Sequence, residues 1–226
     1  MISLNYYKFL FFILLIVVFS NGCSVFNKNT ADDDSNLNAS EVQTTIPFET
    51  KEPATFQTEV IVSNYIGNKE TKRSYFIAKK DNKAIIVFGF GSENEKAKLK
   101  TDEHTIYWID HKENTAKKII GRKPSVSDND LKNFITNKLL NEKVSAEFEK
   151  LETVNNLTKY SVRLDESEKA EAIIFIDEKL KLPVKQEFFS IANGKSLLTY
   201  SINLENFKTN VADDVFEIPS NYKTIE

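Results

Sequence analysis

One cysteine, Cys23, stands in 226 residues. It has no partner for an internal disulfide, so a disulfide-stapled fold is excluded. Histidine is nearly as scarce, with His104 and His111 at the ends of HTIYWIDH. On a strand rising about 3.3 Å per residue they fall on opposite faces, roughly 20 Å apart. A straight strand therefore keeps them from sharing a metal. Asp110 beside His111 lacks a nucleophile at a strained turn to complete a triad. GFGS, at 89–92, lacks the lysine and the helix of a phosphate loop. No carboxylate pair sits in an apolar setting that would split its pKa values. We therefore expect no catalysis, no metal and no cofactor. A strong charge of one sign is also missing, since 30 basic residues meet 33 acidic ones for a net of −3. That balance argues against nucleic acid as a partner, and against a polybasic hold on anionic lipid heads.

Long apolar runs are absent except at the start. FFILLIVVFSNGCSVF occupies 11–26, and the apolar block spans Phe9 to Phe19. Crossing a bilayer takes about 20 apolar residues, and this block is shorter. Lys8 precedes it and Ser20-Asn21-Gly22 follow it. A positive start, a short apolar centre and small closing residues are the form of a secretory signal. With Cys23 directly after, the end resembles the bacterial lipobox, in which the cysteine becomes residue one and carries diacylglycerol plus an amide-linked acyl chain, often palmitate. Gly22 fits that pattern, whereas Ser20 stands where Leu is preferred. Ser24 is not the Asp that marks inner-membrane retention, so the resemblance implies export to the outer membrane, facing the periplasm. Two or more acyl chains hold a protein stably to a bilayer. Removal of residues 1–22 leaves 226 − 22 = 204 residues, enough for one domain and a tether.

The stretch 27–40, NKNTADDDSNLNAS, is too polar to bury surface. It reads as a flexible spacer, so 23–45 is expected to be a lipidated tether and 46–226 the domain. From about Thr45, runs rich in Val, Ile, Phe, Tyr and Thr recur every 8 to 12 residues between turn clusters. They predict about eleven antiparallel strands: 54–65, 71–79, 83–90, 96–101, 104–110, 115–120, 144–151, 157–165, 170–177, 183–191 and 196–207. Asn193-Gly194 is a strong hairpin signal. One segment differs. In 125–142, Leu131, Phe134, Ile135 and Leu139 recur at helical spacing, and Ser127 can cap the start.

Half-exposed strands alternate apolar and polar residues, but KAIIVFGFG (83–91) and AIIFI (172–176) do not. Apolar groups on both faces mean that both faces are covered. Two arrangements satisfy this: a sheet curled around its own core, or an apolar partner from outside. Phe is the dominant aromatic, with 17 Phe against 8 Tyr and one Trp. Sugar and base platforms favour rings with polar handles, so the Phe-rich strands point to plain apolar contact.

The C-terminal third carries a family likeness. It lies in Ile176-Asp177, Leu182-Pro183-Val184-Lys185, Asn206-Phe207, Asp213-Asp214-Val215-Phe216, Pro219 and Tyr222, with DEHTIYWIDHKENTAKKI (102–119) as a matching strand pair. These positions resemble the LolA/LolB/LppX-like superfamily. The resemblance implies a mainly β (α+β) fold: a bent, unclosed antiparallel half-barrel of about eleven strands with plugging helices. It also implies binding of a lipid or acyl chain, with transfer of lipoproteins or lipid as the wider role and other lipoproteins as partners. Phe88, Phe90, Trp108, Phe175, Phe188, Phe189 and Tyr200 are the candidate lining, and Leu131, Phe134, Ile135 and Leu139 the candidate helical cover. The family's opening amphipathic helix has only a weak counterpart here, since 40–56 contains Pro47 and Pro53. A non-enzymatic interaction or sensor module with a self-filled core is the alternative.

Overall fold

FQTEVIV, at 56–62, buries Phe56, Thr58, Val60 and Val62 and leaves the residues between them half-buried. Such a period of two is what a pleated strand requires. The computed structural model describes residues 46–121, 146–164 and 170–226. The described residues belong to one compact unit, Ala39–Glu226.

The strands are β1 (Phe56–Ile66), β2 (Lys69–Lys80), β3 (Lys83–Phe88), β4 (Lys96–Lys100), β5 (Thr105–Asp110), β6 (Thr115–Ile120), β7 (Ala146–Val154), β8 (Leu157–Leu164), β9 (Ala170–Asp177), β10 (Leu182–Ala192), β11 (Lys195–Lys208) and β12 (Lys223–Ile225). They form one 12-stranded sheet in the order β12-β6-β5-β4-β3-β2-β1-β11-β10-β9-β8-β7. Every neighbouring pair is antiparallel except β12 with β6, which is parallel. The ends β12 and β7 do not pair, so the sheet is an open half-barrel. The eleven expected strands all appear within a few residues of their predicted bounds. β12 was not anticipated, because three exposed residues give no periodicity to read.

Two meanders make up the sheet. β1–β6 is one arm and β7–β11 the other, and in the sheet they are joined by the pairing of β1 with β11. There Thr58 Oγ1 donates to the Glu205 carbonyl at 2.9 Å, across 147 positions of sequence. The Asn193-Gly194 turn has φ of 53° and 70°, the left-handed pair that a two-residue hairpin turn needs.

Residues directly opposite on neighbouring strands share a face. One such row runs Thr58, Ile77, Ile86, Lys98, Trp108, Lys117 from β1 to β6. Val62 opposite Ile202 continues this face into the second arm, along Gln186, Ile174 and Tyr160. We call it the inner face because it is apolar in both arms. Ile77, Ile174 and Val162 are wholly buried there.

The outer face differs between the arms. In the first arm Ala78, Ile85, Val87, Ala97, Leu99 and Ile109 are buried beneath Val211 and Phe216. This C-terminal strap contains a short 3-10 turn, Asp213–Phe216. Lys80 Nζ donates to the Val211 carbonyl at 3.3 Å and to Asp213 Oδ1 at 2.9 Å. In the second arm the outer face is charged, with Arg163 reaching Glu147 at 3.9 Å and Glu149 at 4.0 Å. The expectation that β3 and β9 are both covered on two faces therefore holds for β3 and fails for β9. Ile173 and Phe175 on the outer side of β9 are only half-buried. Lys159 and Lys185 lie over Phe175, at 5.7 and 5.0 Å from its ring. Long lysine stems shelter an apolar surface while their charges stay in water.

Residues 46–55 form no helix, as the prolines foretold. Lys51 N–H bonds the Lys181 carbonyl at 2.9 Å. Phe48 packs on the inner face of β7 and β8, its ring 5.8 Å from Phe148 and 4.9 Å from Tyr160. The expected helical cover, Leu131, Phe134, Ile135 and Leu139, lies outside the described residues, as does Cys23. Among the described residues no helix is long and apolar enough to cross a membrane.

Candidate functional site

The inner face concentrates aromatic side chains that burial does not consume. On β2 and β3, Tyr75 and Phe88 stand opposite each other with ring centroids 6.0 Å apart. Phe88 then stacks toward Trp108 of β5 at 6.3 Å, with 18° between the planes. Trp108 keeps 43% of its surface exposed. In the second arm Phe188 of β10 opposes Tyr200 of β11, with centroids 5.6 Å apart. All five rings are at least partly exposed. Burial raises the phenol pKa of Tyr200 first, the neighbouring Tyr75 raises it further, and Arg73 opposes both. The proton thus stays on the Tyr200 oxygen into the alkaline range, and its ring presents a neutral surface.

Four of the seven candidate lining residues, Phe88, Trp108, Phe188 and Tyr200, therefore share this face. The other three do not. Phe90 should follow Phe88 by strand parity, but Gly89 adopts φ of +66° and ends the strand. Phe90 swings to the outer cluster and stacks on Phe76 at 5.2 Å. Ser74 Oγ donates to its carbonyl and fixes the turn. Phe189 adjoins Phe188, and the pleat sends adjacent side chains to opposite faces. Phe175 opposes Lys185 and Lys159 on the outer side.

Polar groups frame the aromatic rows. KAKLK on β4 places Lys96, Lys98 and Lys100 on the inner side while Ala97 and Leu99 are buried on the outer side. Lys98 Nζ lies 5.9 Å from the Trp108 ring centroid, a cation–π contact. Lys96 bonds Asp110 at 2.9 Å. This bond raises the lysine pKa and lowers that of the aspartate, which also accepts the Glu113 N–H at 3.2 Å. Lys79 is met by Glu52 at 2.6 Å. Sequence reasoning missed Tyr75 and these lysines. The alternation in KAKLK put its lysines on one face, but only the strand register puts Trp108 on that same face.

The histidines stay apart from this site. His111 Nδ1 lies 2.9 Å from the Tyr222 hydroxyl and helps hold the strap, while His104 is exposed. Among the described residues no group of three or more His, Cys, Asp or Glu is placed to hold a metal.

No family model matches the sequence. No curated protein matches it either. Solved structures do. The chain resembles an uncharacterized conserved protein from Thermus thermophilus, at 12% identity and a TM-score of 0.41, covering 76% of this chain and 90% of that one. It resembles MucB at 11% identity and a TM-score of 0.43, covering 75% and 59%. It also resembles a LolA superfamily protein from Nitrosomonas europaea, at 12% identity and a TM-score of 0.29, covering 77% and 92%. At these values the likeness assigns no role to any residue.

Proposed function

We propose that this chain is a non-catalytic envelope lipoprotein, anchored through an acylated Cys23, that holds a lipid or acyl chain against the inner face of its half-barrel. One observation carries the reading. Tyr75, Phe88, Trp108, Phe188 and Tyr200 face one side of an open sheet and remain partly exposed. Burying about 300 Å² of one acyl chain there yields roughly 7 kcal/mol before ordering costs, at about 25 cal/mol per Å². That supports micromolar binding. β6 and β7 follow each other in sequence but stand near opposite ends of the sheet. The link between them carries Leu131, Phe134, Ile135 and Leu139, which we assign as a cover over the ligand. Transfer of lipid or lipoproteins to the outer membrane is the cellular role we assign to such a site.

The test is native mass spectrometry of a chain beginning at Ser24, made in a bacterial host and purified without detergent. We expect extra mass that dissociates as a fatty acid or phospholipid. A clean mass that stays clean after incubation with lipids sinks the reading. The second reading, an interaction module with a self-filled core, would then take its place. It is favoured by the near-complete burial of Ile77, Ile174, Ile176 and Ile202 on the same inner face.

A further inference from the structure

Part of the inner face is already occupied by the chain itself. Phe188 opposes Ala172, Ala172 opposes Val162, and Val162 opposes Phe148, so one apolar row runs from β10 to β7. Phe188, at the β10 end, is one of the five rings of the proposed site. At the other end the row is roofed by the segment that precedes β1. Ile46 and Phe48 pack on the cluster that contains Phe148, Tyr160, Val162 and Ala172, and Phe188 packs on the same cluster. Segment and site therefore share one apolar surface. The segment is lightly held. Ile46, Pro47 and Phe48 are only half-buried. Among the described residues one backbone hydrogen bond ties it to the sheet, from Lys51 N–H to the Lys181 carbonyl. Glu52 meets Lys79 at 2.6 Å, but its Oε2 is buried and accepts no hydrogen bond. An unmet buried oxygen costs free energy and weakens the closed position. Segments with few buried contacts and few backbone bonds open first. Beyond Glu52 the chain enters β1 through the wholly buried Phe56, so the fixed end lies there.

We infer that residues 46–51 are an inhibitory latch, which covers the Phe148–Tyr160 part of the inner face and is displaced by an acyl chain entering from Phe188. This deepens the lipid-binding reading and rests on it. With the latch closed the site ends at Phe188. With the latch displaced it runs on to Phe148 and takes a longer chain. Ligand and latch compete for one surface, so the apparent affinity is reduced by the fraction of chains in which the latch is open.

The full chain, in a nonionic detergent, is labelled with photoreactive palmitic acid, and its hydrogen exchange is followed with and without palmitic acid. The acid should speed exchange of the Lys51 amide severalfold while the amides of β1 stay protected. Ile46→Ser/Phe48→Ser removes two half-buried apolar contacts, so its labelling at subsaturating acid should rise about fivefold. Glu49→Ser/Thr50→Ala alters exposed positions of the latch and should label as the native chain does. Labelling of the native chain with an unchanged Lys51 amide overturns the latch and leaves lipid binding standing. So does equal labelling of the Ile46→Ser/Phe48→Ser variant when its β1 amides stay protected. If they do not, the exchange of the native chain alone decides. No labelling of the native chain or of any variant overturns the lipid reading itself.

Discussion

Trp108 and Ile174 both lie on the inner face, yet one is 43% exposed and the other wholly buried. They separate binding from stability. Ile174→Ala removes packed methyl groups and leaves a cavity, which should cost about 2–5 kcal/mol in denaturant unfolding. Trp108→Ala takes away a half-exposed ring and should change stability by about 1 kcal/mol or less, since surface substitutions rarely cost more. It should nevertheless reduce uptake of a fluorescent fatty acid severalfold. If Trp108→Ala destabilises as much as Ile174→Ala, the ring serves the core and not a ligand. Which aromatic points where was only partly legible in the sequence. Phe188 and Phe189 needed only the pleat to be separated. Phe90 needed the left-handed Gly89, a backbone fact that the alternation of FGFG conceals.

Among the elements, the strap from Val211 to Tyr222 is held in part by titratable contacts. Lys80 lowers the pKa of Asp213 through their hydrogen bond and its charge. A lowered carboxylate stabilises the fold above its ordinary value of 3.8, and that stabilisation is lost as pH falls through the folded value. Asp110, Asp102 and Glu178 are lowered as well, so global acid stability cannot isolate the strap. Hydrogen exchange can. Protection of 211–222 should hold at neutral pH and fall below about pH 4 before that of β2 and β3, the local opening preceding the global one. In Lys80→Gln this acid step should shrink. An unaltered step would mean that Val211 and Phe216 alone hold the strap. The strands were the easiest elements to read because the period of two is written in β-branched and aromatic residues. The strap was not, because DDVFEIP carries no period, and its partners Ala78 and Leu99 lie more than a hundred residues back.

At the level of the molecule, the open half-barrel leaves two ends, and they differ. β7 exposes Glu147, Lys150 and Glu152, a charged edge that resists pairing with a second sheet. Glu147→Val/Glu152→Val should therefore promote self-association, seen as a concentration-dependent rise in mass by light scattering. A strictly monomeric double variant would show that charge is not what guards this edge. The half-barrel itself was legible from strand count and family likeness. The sorting of charge between its faces was not, since composition sums over both sides and only register divides them.

The seam between β1 and β11 bears on how the chain reaches this state. Each arm is built from hairpins that close as soon as their own residues are available, so each has low contact order. The seam joins positions 147 apart, and closing so long a loop is slow compared with closing a hairpin. Synthesis deepens the delay, because β11 and the strap are made after β1 to β10. Until they emerge, β1 has an unpaired edge and Leu99 and Ile109 have no roof. The unfinished chain is therefore an open ladder of hairpins, and the sheet becomes whole only when β11 and the strap are in place.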